Sequence, residues 1–339
     1  MAIQHKDSDP GHASGTVPTL QVEDLKTCFF TKAGVATAVD SVSFTLQPGE
    51  IMGLVGESGS GKSMTGYSIV GLVDPPGEVV GGRILYRGED LRQMDAEQLR
   101  RLRGNRIAMI FQDPMMTLNP VLRIDTQMIE TVLAHDKVSY SAARERAREA
   151  LAQVGIPSPE DRLRCYPHEF SGGMRQRVAI AMAMLNKPDL IIADEPTTAL
   201  DVTIQAQILF EMQKLCRETG TALIWITHDL SVVAGLADTV AVMYAGKLVE
   251  TGPVRDVLEN PLHPYTRSLI ESLPSRNVRG LPLKQISGVA PSLLALPKGC
   301  AFRERCPAAG SRCVEVPPKR ELHKSTVRCW FPFTALESV

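Results

Sequence analysis

The chain has 339 residues, of which 44% are hydrophobic and 22% charged, and its formal net charge is −1. This length exceeds the usual size of a single domain, so the sequence predicts one large domain with an appendage, or two domains. The balanced charge gives no basic field, so nucleic acid is not a predicted partner. No apolar run approaches the roughly 18 residues that span a bilayer, and the N-terminus lacks a signal-peptide core, so we expect the protein to stay in the cytosol.

The first predicted element is a tail. Residues 1–19 are rich in Gly, Ser, His, Asp and Pro without periodicity, which is typical of a mobile segment. Short apolar stretches bounded by turn residues then predict strands. These strands are Leu20 to Leu25, Ala38 to Leu46 and Ile51 to Val55. A Gly-rich loop and a helix follow them.

A helical pattern occupies about residues 113–170 and predicts an inserted helical subdomain. One apolar face is formed by Ala143, Ala147, Ala150, Leu151 and Val154, and Gly155 stands where a C-terminal cap belongs. Strand signals return at Asp189 to Ala193 and Ala222 to Thr227, on either side of a helical span from Asp201 to Arg217. Alternating strands and helices predict a parallel sheet.

The composition changes after Gly252-Pro253, where prolines become frequent. We therefore divide the chain into a large domain at residues 20–258 and a small C-terminal region at residues 259–339. Seven cysteines in a chain this long do not indicate a disulfide scaffold. Four of them, Cys300, Cys306, Cys313 and Cys329, lie in the C-terminal region.

The segment GESGSGKS, Gly56 to Ser63, fits the phosphate-loop pattern between a predicted strand and a helix. Glycines let successive backbone N–H groups point at a phosphate, and the helix start adds its positive dipole end. Lys62 is placed to reach the β- and γ-phosphates of ATP and Ser63 to ligate Mg²⁺. The alternative is a Gly-rich turn of no function. The predicted ATP ligands here are Gly56, Ser58, Gly59, Ser60, Gly61, Lys62, Ser63 and Met64.

Two carboxylates, Asp194 and Glu195, close an apolar predicted strand that should lie beside the phosphate loop. Asp194 is predicted to hold Mg²⁺, and Glu195 to accept a proton from the water that attacks the γ-phosphate or to orient that water. The alternative is an acidic strand end that faces solvent.

The segment FSGGMRQR, Phe170 to Arg177, resembles the signature sequence of ABC ATPases and precedes the Asp194-Glu195 strand as expected. The resemblance implies that Ser171, Gly172, Gly173 and Met174 bind the γ-phosphate held by a partner subunit, so two half-sites form a dimer. Met174 stands where many members carry Gln, and this variant resembles the peptide and nickel importer branch.

Further positions match the same family. Gln112 resembles the Q-loop glutamine that contacts Mg²⁺ and the attacking water, and His228 resembles the switch histidine that contacts the γ-phosphate. Ala199-Leu200-Asp201 resembles the D-loop, whose aspartate acts across the dimer interface. Phe29 resembles the aromatic residue that stacks on adenine, although the adjacent Phe30 or a purely structural Phe29 fits equally well.

The C-terminal region resembles the tail of oligopeptide and dipeptide importer ATPases, beginning with NPLHPYT at Asn260 to Thr266. In that tail four cysteines can bind a [4Fe-4S] cluster, and the resemblance gives Cys300, Cys306, Cys313 and Cys329 as its ligands. Zinc and free thiols remain alternatives, since four thiolates suit iron–sulfur and zinc chemistry alike but paired C-x₂₋₄-C knuckles are absent.

The resemblance implies a P-loop NTPase (RecA-like) α/β fold with an antiparallel β subdomain, the helical insertion and the C-terminal extension. It also implies an ATPase on the cytoplasmic face of the inner membrane that powers peptide import. Implied partners are two membrane-spanning permeases, a second, paralogous ATPase subunit and an extracytoplasmic substrate-binding protein. Alternatives are nickel or glutathione import, a soluble ABC ATPase without a transport role, and a kinase or GTPase that uses the same loop.

Overall fold

The computed structural model describes residues 17–198, 200–277, 280 and 282–333. Residues 1–16 of the predicted tail lie outside the described residues. The strands are β1 (Leu20–Thr31), β2 (Gly34–Leu46), β3 (Ile51–Val55), β4 (Gly77–Tyr86), β5 (Glu89–Asp90), β6 (Ile107–Ile110), β7 (Leu190–Asp194), β8 (Ala222–Thr227), β9 (Thr239–Tyr244), β10 (Lys247–Pro253), β11 (Lys319–Leu322) and β12 (Ser325–Arg328). The helices are α1 (Lys62–Val70), α2 (Ala96–Leu102), α3 (Ile124–Leu133), α4 (Tyr140–Gln153), α5 (Pro159–Arg162), α6 (Gly172–Met184), α7 (Val202–Thr219), α8 (Leu230–Leu236), α9 (Val254–Glu259) and α10 (Pro264–Glu271).

The strands form two sheets. The smaller sheet is antiparallel and has the order β2-β1-β4-β5, and the larger has the order β11-β12-β10-β9-β3-β8-β7-β6. Strands β9, β3, β8, β7 and β6 of the larger sheet run parallel, so the loops at their carboxyl ends meet at one edge. That edge carries the residues predicted to bind nucleotide.

The parallel strands are buried on both faces, which explains their continuous apolar sequences. Every residue of β3 and of β7 is buried. Leu25 and Val42 of the smaller sheet share one buried cluster with Leu54 and Ile192 of the larger. The smaller sheet therefore packs against the strands that lead into the phosphate loop.

Helices α3, α4 and α5 fall within the predicted helical subdomain. Ser139 begins α4 by accepting a hydrogen bond from the backbone N–H of Ala142 at 3.2 Å, a standard N-cap. The predicted apolar face of α4 is buried in a cluster that also contains Ile110 and Ala193 of the main sheet. The subdomain thus packs on β6 and β7, the strands that precede Gln112 and Glu195.

The C-terminal region joins the main sheet. Strand β12 pairs antiparallel with β10, and β11 pairs with β12. The buried rings of Tyr265 and Phe302 pack on Tyr244 at the end of β9, with ring centroids 4.6 Å and 5.3 Å from that of Tyr244. In the part of the chain that the structure describes, no helix is both long and apolar enough to cross a membrane.

Candidate nucleotide site

The phosphate loop connects β3 to α1, as its sequence predicts. Gly56 and Gly61 have φ angles of 157° and 105°, and a Cβ atom at these residues would overlap the carbonyl oxygens of Met243 and Ala38 respectively. A side chain at either position therefore conflicts both with the backbone conformation and with a neighbouring strand or loop. The curled path of the loop needs glycine at these two residues.

Lys62 lies folded over the loop and is 5% exposed. Its ammonium donates hydrogen bonds to the carbonyl oxygens of Gly56 at 2.8 Å and Glu57 at 2.9 Å. Burial lowers the pKa of Lys62, and the negative charges of Glu195 and Asp194 oppose that shift. The lysine is thus held beside the loop backbone, where an incoming phosphate would meet it.

Ser63 and Asp194 form an oxygen pair at the start of α1. The Ser63 hydroxyl donates to Oδ1 of Asp194 at 3.0 Å, and Asp194 is 1% exposed. Burial raises the pKa of Asp194, the Ser63 hydrogen bond lowers it, and the charge of Glu195 raises it. A hydroxyl and a carboxylate at this spacing are ligands that Mg²⁺ accepts, and the cation would replace the solvation that burial removes.

The Glu195 side chain contacts residues from two other segments of the chain. Its Oε2 accepts a hydrogen bond from Nε2 of Gln112 at 3.3 Å, and its Oε1 lies 3.2 Å from Nδ1 of His228. Glu195 has a φ angle of 45°, and its backbone N–H donates to the carbonyl of Ile226 at 2.9 Å. A left-handed conformation at a non-glycine residue is strained, and functional sites often hold such strain.

Thr198 is a member of this group that sequence reasoning missed. Its hydroxyl donates to Oε2 of Glu195 at 3.2 Å. The available signal was a hydroxyl side chain three residues after a carboxylate at a strand end.

The predicted Mg²⁺ ligands make two separate contacts. The amide of Gln112 bonds to Glu195, whereas Ser63 bonds to Asp194. The predicted Mg²⁺ ligand set of Ser63, Gln112 and Asp194 stays a prediction.

The signature segment lies at the start of α6, on the surface. Ser171 caps this helix by accepting from the N–H of Met174 at 3.3 Å, and Asp201 caps α7 in the same way from Ile204 at 3.0 Å. Ser171, Gly172 and Asp201 are exposed. Among the described residues, no hydrogen bond links Ser171 to the phosphate loop of the same chain. Ala199 of the predicted D-loop lies outside the described residues.

Comparison with known proteins places this site in a family. A family model described as ABC transporter matches residues 39–198, and a model for the C-terminal region of oligopeptide/dipeptide transporters matches residues 249–313. The dipeptide transport ATP-binding protein DppD of Bacillus subtilis is 49% identical over 314 residues, which cover 92% of this chain and 94% of the relative. The chain belongs to the ATP-binding proteins of ABC-type peptide transporters.

Other similar proteins agree with this membership. The oligopeptide transport ATP-binding protein OppD of Escherichia coli is 47% identical over 312 residues, 92% of each chain. A solved structure of the ATP-binding cassette MJ0796 bound to ADP and Pi has a TM-score of 0.64 and 26% identity, over 70% of this chain and 99% of that one. These matches confirm the predicted P-loop ATPase fold and the predicted family.

Adenine stacking in this ABC ATP-binding protein stays a prediction for Phe29. The ring of Phe29 is partly buried and packs on Gly77, where an added Cβ would lie 2.8 Å from its Cε1. Phe30 is 50% exposed. Met64 is partly buried against the cluster between the two sheets, so any role for its side chain in ATP binding is likewise a prediction.

The four C-terminal cysteines lie near one another in this ATP-binding protein. Burial raises the pKa of the Cys300 and Cys306 thiols and raises that of Cys329 to about 11, and the neighbouring cysteines add to each shift. The backbone N–H of Cys300 donates to the carbonyl of Cys313 at 3.0 Å. However, no group of three or more His, Cys, Asp or Glu residues in the described part of the chain is arranged to hold a metal ion. The predicted cluster and its zinc alternative gain no support from this arrangement.

Buried hydrogen bonds join the NPLHPYT segment to Glu250 of β10. Glu250 accepts hydrogen bonds from the backbone N–H groups of Leu262 at 2.8 Å and His263 at 2.9 Å, and Nδ1 of His263 accepts from that of Tyr265 at 3.0 Å. These bonds satisfy backbone groups that burial would otherwise leave unpaired. Burial lowers the pKa of His263 to about 3, so its ring is neutral.

Proposed function

We propose that this chain hydrolyses ATP on the cytoplasmic face of the cell membrane and that the hydrolysis powers peptide import. The observation that carries the proposal is the placement of Glu195, whose carboxylate contacts Gln112 and His228 beside the Ser63–Asp194 pair. An ATPase needs a phosphate cradle, a cation site and a base for water at one place. The names of the relatives, which are dipeptide and oligopeptide transport proteins, supply the cargo.

In the proposed reaction the phosphate loop binds the triphosphate, with Lys62 turning from the loop carbonyls toward the β- and γ-phosphates. Ser63 and Asp194 would hold Mg²⁺, which would supply positive charge to the phosphate oxygens. Glu195 takes a proton from water as the water oxygen bonds to the γ-phosphorus and the bond to the β–γ bridging oxygen breaks. His228 holds the Glu195 carboxylate on one side, and the products are ADP and phosphate.

We further propose that a second subunit completes the site. The exposed start of α6, with Ser171 and the two following glycines, presents the positive end of the helix dipole to a neighbouring molecule. A paralogous ATPase, two permeases and a substrate-binding protein outside the membrane are the proposed partners. Gln112 lies between the main sheet and the helical subdomain, so it is the proposed link to the permeases.

The test is expression of this chain with the proteins encoded beside its gene. Co-purification with membrane subunits and ATP-dependent uptake of a labelled peptide by vesicles are the expected results. Uptake of nickel or glutathione in place of peptide would overturn the peptide cargo. Association with ribosomes or DNA, and never with membrane subunits, would overturn the transport function altogether.

A finer proposal concerns the four cysteines. We infer that they hold a [4Fe-4S] cluster with a structural role, because their side chains suit iron and their thiols lie near enough to raise one another's pKa. Anaerobically purified protein should contain iron and acid-labile sulfide, and a variant with all four cysteines changed to Ser should contain neither. Zinc, or no metal, in the unmodified protein would overturn the cluster.

A further inference from the structure

The C-terminal region contacts the phosphate loop at Glu57. Nη1 of Arg305 lies 2.7 Å from Oε2 of Glu57, and Nη2 lies 3.0 Å from Oε1. Guanidinium and carboxylate thus form two parallel hydrogen bonds, the strongest geometry for this pair of groups. The Arg305 side chain is 7% exposed and that of Glu57 is 27% exposed, so water screens the ion pair less than it would at an open surface.

The surroundings fix the direction of the Arg305 side chain. Its Nε donates to the carbonyl oxygen of Ser287 at 2.9 Å, and Nη1 donates to the hydroxyl of Tyr244 at 3.2 Å. The guanidinium carbon also lies 5.8 Å and 5.9 Å from the ring centroids of Tyr244 and Phe302. With these partners in place, the guanidinium meets Glu57 in a single orientation.

A second C-terminal residue holds the backbone of Glu57. The Glu57 N–H donates to the hydroxyl of Tyr265 at 2.9 Å, and Tyr265 is fully buried. The carbonyl of Glu57 in turn accepts from the ammonium of Lys62 at 2.9 Å. The residue that anchors the phosphate-binding lysine is therefore held at its side chain by Arg305 and at its backbone by Tyr265.

The charge of Glu57 makes this contact important for nucleotide binding. An unpaired carboxylate in the phosphate loop would repel the phosphates of ATP. We propose that Arg305 is a positioning residue for ATP binding, which neutralises Glu57 and holds the phosphate loop in its binding conformation from the C-terminal region. The inference rests on the proposed function, since it assigns a partner to the loop of the same site.

The test compares Arg305→Met with Arg303→Met in the complete transporter complex. Arg303 is a matched control, because it lies two residues away and bonds the carbonyl of Lys298 at 2.8 Å instead of the phosphate loop. Arg305→Met should raise the KM for ATP about tenfold while kcat at saturating ATP changes less than about twofold, since the loss affects binding of the ground state. Arg303→Met should leave both constants unchanged.

A double variant separates charge neutralisation from general loss of structure. In Arg305→Met with Glu57→Gln, the unpaired carboxylate is gone, so the KM should fall by about threefold or more from that of Arg305→Met alone. Arg305→Lys keeps the charge without the paired geometry and should give an intermediate KM. If Arg305→Met does not fold, Arg305→Lys and Tyr265→Phe, each expected to raise the KM, decide the question.

An unchanged KM in Arg305→Met, or a double variant no better than the single one, overturns the inference. So does a lower melting temperature without any change in KM, because that result is expected of a purely structural ion pair. If the unmodified complex does not hydrolyse ATP, the proposed function fails instead. The two failures are therefore distinguishable in one set of assays.

Discussion

Nδ1 of His228 lies 3.2 Å from Oε1 of Glu195, and this contact joins residues 33 positions apart in the sequence. An ionised carboxylate only accepts, so the imidazole must carry its proton on Nδ1 in this contact. His228 follows β8 and Glu195 follows β7, and these strands are parallel neighbours. The contact is thus a consequence of sheet order, and it orients the carboxylate that we assign as the base.

Glu195→Gln should leave ATP binding intact and abolish most turnover. The amide has nearly the same shape as the carboxylate but does not take a proton from water, so we expect kcat to fall by about 100-fold or more. A nucleotide-binding assay and a phosphate-release assay on the same preparation measure the two effects. Near-normal turnover would rule out the assigned role. Thr198→Val, which removes one hydrogen bond to Glu195, should cost much less.

Asp194→Asn should weaken the apparent affinity of the ATPase for Mg²⁺. The change removes the charged oxygen ligand beside Ser63, so the Mg²⁺ concentration for half-maximal activity should rise about tenfold. The control is Asp189→Asn, immediately before the same strand begins, where Asp189 pairs with Arg87 at 2.7 Å. That control should lower the free energy of unfolding and leave the Mg²⁺ concentration for half-maximal activity unchanged. An equal shift in both variants would contradict the assignment of Asp194.

Ser171→Ala should reduce ATP-dependent dimer formation beyond its effect on stability. The loss of the helix cap costs about 1 kcal/mol of unfolding free energy. Ser139→Ala is the matched control, because Ser139 caps α4 through an equivalent hydrogen bond of 3.2 Å. Chemical denaturation should give similar losses for both variants, while size-exclusion chromatography with ATP should separate them. A dimer as stable in Ser171→Ala as in Ser139→Ala would argue against the shared site.

The free energy of unfolding should fall as the pH decreases from about 6.5 toward 3. Burial lowers the pKa of His263 from 6.5 to about 3, so in this range the unfolded chain binds a proton that the folded chain refuses. The contribution is at most about 1.4 kcal/mol per pH unit. His263→Asn keeps a cap for the N–H of Tyr265 but does not titrate.

Urea denaturation across this pH range measures the slope in both proteins. The slope should be smaller in His263→Asn than in the unmodified protein. Glu250 titrates in both, and its pKa is raised by burial, so its opposite contribution cancels in the comparison. Equal slopes would show that His263 is not the group responsible.

Much of the site could be predicted from the sequence because it is made of consecutive residues. The phosphate loop needs glycine at positions 56 and 61, and lysine and serine directly after Gly61. The eight-residue pattern therefore specifies the conformation of the loop. The carboxylates Asp194 and Glu195 were predictable for a related reason. They end a fully apolar strand, and parallel strands bring their carboxyl ends to one edge.

Other contacts depend on how distant segments pack, and no local pattern encodes them. Thr198 completes the group around Glu195 only because the loop after β7 turns back on itself at the strained Glu195. The C-terminal region, whose composition differs from that of the preceding chain, pairs with β10 and extends the main sheet. Strand pairing of that kind depends on which edge strand of the sheet has unpaired backbone groups once the other strands are in place.

The sequence by itself predicted that a nucleotide's phosphates bind at Gly56 to Ser63, because backbone curvature and neighbouring side chains there follow from residue type and order. Only the tertiary structure decided what holds that loop. Arg305 reaches Glu57 across 248 positions of the chain, and Tyr265 reaches it across 208. Such contacts form when β9, β10 and the C-terminal region pack together. An ion pair needs both of its charged groups close together in space, and the sequence gives only their positions along the chain.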